Sequence, residues 1–60
     1  MSQNILIINQ MPNWIRLTVY HKGQPVETVE LDKQTLHLLN QSKIELIKDY
    51  RVKKENVITI

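Results

Sequence analysis

The chain has 60 residues, and eight Lys and Arg against six Asp and Glu give it a net charge of +2. A chain of this length makes one domain, residues 1–60, whose core rarely supplies more than about 3–5 kcal/mol. The absence of Cys and the presence of only one Gly, Gly23, exclude a disulfide framework, a cysteine metal site and a glycine-rich phosphate loop.

Residues 4–9 read as a first strand. Ile5, Leu6, Ile7 and Ile8 are apolar on both faces, as in a strand that is covered on both sides or that meets a partner on one. A turn follows at Gln10-Met11-Pro12-Asn13. Residues 14–20 alternate as a second strand. Ile15, Leu17 and Val19 form one face, and Trp14, Arg16, Thr18 and Tyr20 the other.

The only glycine marks the next turn, at His21-Lys22-Gly23-Gln24, where positive φ is expected. Residues 25–31 form the third strand. Val29 and Leu31 continue the core face, with Glu27 at its turn end, and Val26, Thr28 and Glu30 share the face of Trp14 and Tyr20. A bulge or a three-residue loop at Gly23 is needed to keep the two apolar faces in register.

Asp32 suits the N-cap of a helix starting at Lys33. Leu36, Leu39, Leu46, Ile47 and Tyr50 recur at helical spacing, which predicts about five turns over 33–51. Ser42-Lys43-Ile44-Glu45 has the form of a capping box, which leaves open whether 33–51 is one helix or two that break at 40–42. Residues 57–60 are a last strand, with Val57 and Thr59 on one face and Ile58 and Ile60 on the other.

The expected fold is therefore α+β, β-β-β-α-β: an antiparallel, hairpin-based sheet with one helix on one face. The hairpin, helix and strand order resembles part of a β-grasp fold and the truncated ribonuclease-H-like fold of some antitoxins. These are likenesses of topology and imply no function.

The titratable inventory is thin. His21 and His37 have no metal-ligand spacing, so neither metal nor cofactor is expected. Ser2 and Ser42, with the histidines, Asp32 and Asp49, form no nucleophile motif. Glu30-Leu31-Asp32-Lys33 lacks the acidic-x-lysine step of metal-dependent nucleases. The chain is expected to be no enzyme.

Trp14, Arg16, Thr18, Tyr20 and Val26 are the expected partner-binding residues, because Trp, Tyr and Arg dominate binding hot spots. The function they predict is a small regulator or inhibitor that docks by its sheet face on a larger host protein. The second reading is nucleic-acid binding through that face or through Lys43, Lys48, Arg51, Lys53 and Lys54. Glu45, Asp49 and Glu55 interleave with that basic cluster and dilute its field.

A homodimer is expected as a way to enlarge so small a core, and the first or last strand is the edge most open to strand addition. No run reaches the ~20 apolar residues of a membrane span. Ile5-Leu6-Ile7-Ile8 is too short for a signal peptide, so a cytoplasmic protein without membrane contact is expected. Abundant Ile, Asn and Lys without Ala fit an AT-rich gene, of a bacterium or its phage.

Overall fold

The computed structural model describes residues 3–60. Three antiparallel strands come first: β1 (Asn4–Gln10), β2 (Trp14–His21) and β3 (Gln24–Asp32). A 3-10 turn (Leu36–Leu38), the helix α1 (Leu39–Tyr50), a second 3-10 turn (Lys54–Asn56) and β4 (Val57–Thr59) follow. The strand order is β3-β2-β1-β4. β4 lies parallel to β1, so the sheet is mixed and β1 is central. This is the expected small α+β domain.

The helix covers one face of the sheet. Leu6, Ile8, Leu17, Val19, Leu46 and Val52 form a buried cluster, joined by Ile15, Val29, Leu39, Ile47, Tyr50 and Val57. The alternation in β1 and β2 brings these side chains to one side, and helical spacing turns Leu39, Leu46 and Tyr50 toward them.

The β2–β3 loop has two residues, Lys22 (φ 53°) and Gly23 (φ 77°). Positive φ at both central positions is what a type I′ hairpin turn requires. A Cβ on Gly23 meets nothing within 4 Å, so backbone conformation, not space, selects glycine there. The bulge sits elsewhere than expected. Val19 pairs with Glu27 and Tyr20 with Pro25, which leaves Val26 as the extra residue. Pro25 has no amide to give the ladder, and the irregularity falls beside it.

The helix is shorter than the five turns expected, and its start is later. The Asp32 carboxylate accepts hydrogen bonds from the amides of Gln34 (2.9 Å) and Thr35 (3.1 Å) and from the Thr35 hydroxyl (3.0 Å). These bonds hold that carboxyl below the usual carboxylate range, the Thr35 hydroxyl foremost. Thr35 N–H then donates to Asp32 C=O and Leu38 N–H to Thr35 C=O. Asp32 thus caps a run of i→i+3 turns, and the α-helix begins only at Leu39. Such turns rise faster per residue than an α-helix. Ser42 lies inside the continuous helix, so the capping box is unused and no break falls at 40–42.

Arg51 ends the helix in the left-handed region (φ 52°, ψ 44°), with its amide bonded to Ile47 C=O. Val52 N–H donates to the same carbonyl at 3.0 Å, and its buried side chain anchors the turn in the core. A side-chain relay reinforces this end. Asn4 Nδ2 donates to Tyr50 C=O, and Asn4 Oδ1 accepts from His21 Nδ1, both at 2.6 Å.

Candidate protein-binding face

The helix leaves the opposite face of the sheet open. Alternation along β2 places Trp14, Arg16, Thr18 and Tyr20 there. Cross-strand register adds their neighbours: Asn9 and Glu30 beside Arg16, Ile7 and Thr28 beside Thr18, Ile5 and Pro25 beside Tyr20. Ile58 pairs with Ile7 and extends the row into β4.

Arg16 is not a free cation. Its Nε and Nη2 donate to Glu30 Oε2 at 3.3 and 3.1 Å, and its Cζ lies 4.9 Å from the centroid of the Trp14 ring. The guanidinium is fixed between a carboxylate and an indole, the arrangement in which it stacks well. The ion pair itself is exposed and contributes only about 0–1 kcal/mol; its geometry sets the guanidinium beside the Trp14 ring.

The expected partner-binding residues are not equivalent. Trp14, Arg16 and Tyr20 are half-buried and Val26 is exposed. Thr18 is only 8% accessible, because a short side chain in the middle of the sheet is overtopped by its neighbours. It forms the floor of the face. Val26, at the bulge, has no partner of its own on β2.

The face also includes Ile5, Ile7, Ile58 and Ile60, which the sequence reading left out of the site. Ile58 and Ile60 are 43% and 66% exposed. The signal was the unbroken apolar run in β1, which no half-covered strand needs. The face therefore grades from polar at β3, with Thr28 and Glu30, to apolar at β1 and β4.

The five basic residues do not share one face of the helix. Lys43 and Lys48 are five residues apart on α1, about 140° around the helix. Lys48, Arg51, Lys53 and Lys54 follow one another around the helix end, with Asp49 and Glu55 among them.

Asp32 is occupied by its turn, and His21 by Asn4. Ser2 lies outside the described residues. Among the described residues no three His, Asp or Glu side chains group as a metal site, and no helix is long and apolar enough to cross a membrane. No family model, curated protein or solved structure matches the chain.

Proposed function

We propose that this chain is a small non-catalytic regulator or inhibitor that acts by docking its open sheet face on a larger protein and blocking a site there. One observation carries the reading: Trp14, Arg16 and Glu30 contact one another on a face that no other part of the described chain covers. Anchors ordered before binding lose little freedom on contact, and Trp, Tyr and Arg are the residue types that concentrate binding energy. The apolar margin of Ile5, Ile7 and Ile58 supplies area around them. The mechanism is steric and asks for no bond-making group. A cytoplasmic host protein of a bacterium is the expected target, with the regulator encoded by the host or its phage.

Affinity capture from bacterial lysate, with and without nuclease, tests this reading. A single protein retained after nuclease treatment, and lost with the Trp14→Ala/Tyr20→Ala pair, supports it. Retention by the folded double variant overturns it. Recovery only through nucleic acid favours the second reading. That reading is supported by Lys48, Arg51, Lys53 and Lys54, none of which forms an ion pair among the described residues. Its affinity should fall steeply with salt.

A further inference from the structure

The two edges of the sheet are built differently. The outer strand β3 carries Pro25, a bulge at Val26 and the charges of Glu27, Glu30 and Asp32. Proline, bulges and charge are the devices that keep edges from pairing with other chains. The run Val57-Ile58-Thr59-Ile60 at the other edge has no charged side chain and no proline, and β4 pairs with β1 without a shift in register.

Ile60 N–H donates to Ile8 C=O at 2.8 Å, and Ile60 C=O accepts from Gln10 N–H at 3.1 Å. Alternation along the ladder turns the backbone groups of Thr59 the other way, to the outside. Val57 also points outward, but its N–H is held by Lys54 C=O. Thr59 is therefore the residue of β4 that offers both a donor and an acceptor on the outer side. Ile58 and Ile60 flank it on the open face, and both are exposed.

We infer that a second copy of this chain adds antiparallel to β4, with the two-fold axis at Thr59, and makes one continuous eight-stranded sheet. Each Thr59 N–H donates to the partner's Thr59 carbonyl. Ile58 then stands opposite the partner's Ile60, and Ile60 opposite the partner's Ile58, at the non-hydrogen-bonded positions where side chains approach most closely. The four isoleucines cover one another.

A second copy fits better than a strand of another protein. The two-fold axis matches each outward donor of Thr59 with an outward acceptor and leaves neither unpaired. The copy sets isoleucine against isoleucine, and no charged side chain faces a like charge. The contact is small, so the dimer exchanges and depends on concentration. This inference rests on the backbone groups of the edge, and it shares only Ile58 with the apolar margin of the open face.

Sedimentation equilibrium of the full chain tests it, up to about 1 mM, where contacts worth only about 4 kcal/mol still associate. Wild type should shift from monomer to dimer. Thr59→Pro removes the outward donor and no hydrogen bond of the monomer, so it should keep the circular dichroism spectrum and weaken association about tenfold or more. If that variant misfolds, Ile60→Lys supplies the same test. Ile44→Lys, on the exposed side of α1, should dimerise like wild type. A wild type that stays monomeric, a folded Thr59→Pro or Ile60→Lys variant that dimerises as before, or loss of dimer in Ile44→Lys, overturns the inference.

Discussion

The Tyr50 hydroxyl donates to Glu27 Oε1 at 2.6 Å and so ties the last turn of the helix to the outer strand. The bond needs the phenol proton. Glu27 therefore pushes the Tyr50 hydroxyl above its ordinary range, first through this hydrogen bond, with desolvation and the charges of Glu27 and Asp49 adding to it. A raised folded-state value stabilises the fold fully below the unfolded value, near pH 10, and the stabilisation is lost as pH rises through the folded value. Denaturant titrations above about pH 10 should show a loss of stability that is absent from Tyr50→Phe.

Asp32 has the opposite sign. Its carboxyl is held low by Thr35 and the amides around it. Its contribution is complete above about pH 4 and disappears as pH falls through the lower folded value. Asp32→Asn should flatten the acid limb of the stability profile. Hydrogen exchange at the Gln34 and Thr35 amides should quicken in the same variant.

The two faces of β2 should respond differently to truncation. Leu17 is fully buried, and Leu17→Ala should cost about 2–5 kcal/mol, comparable to the whole stability of a domain this small, about 3–5 kcal/mol. That variant should be largely unfolded at room temperature by circular dichroism. Trp14→Ala, on the uncovered face, should cost about 1–2 kcal/mol and remain folded.

Arg51 occupies a left-handed conformation that penalises side chains with a Cβ by about 1–2 kcal/mol. Arg51→Gly should raise the melting temperature by about 4–8 °C for each kcal/mol recovered. Lys22 is in the same region, and Lys22→Asn should give a smaller gain, since Asn tolerates that conformation. Differential scanning calorimetry of the two variants checks both.

Much of the fold was legible because period and punctuation agreed. Ile15, Leu17 and Val19 alternate cleanly, Gly23 marks the turn, and the leucines recur at helical spacing. The helix start was not legible. Asp32 has the chemistry of an N-cap, but Thr35 supplies both an amide and a hydroxyl to it, and the local turn wins over the helix for the next six residues. The bulge was required by the pattern, but its place at Val26 follows from how Pro25 fits the ladder. Of the candidate site, the β2 residues were legible from alternation alone. Glu30 as the holder of Arg16 and the β4 isoleucines as neighbours of Ile7 depend on register, which only the folded sheet sets. The relay from His21 through Asn4 to Tyr50 joins distant segments and has no local signal.

The partners Leu6 and Val57 come from opposite ends of the described chain, so β4 closes the longest loop in the fold. Non-local closure of this kind is slow. During synthesis β1, β2 and β3 emerge first and have only local hairpins to form. Until residues 57–60 arrive, β1 presents Ile8 C=O and Gln10 N–H, the partners of Ile60, to the surroundings on an apolar strand. A chain interrupted anywhere in the helix leaves that strand bare. Translational pausing or truncation upstream of β4 should therefore send this protein to aggregation or proteolysis rather than to a partly working domain.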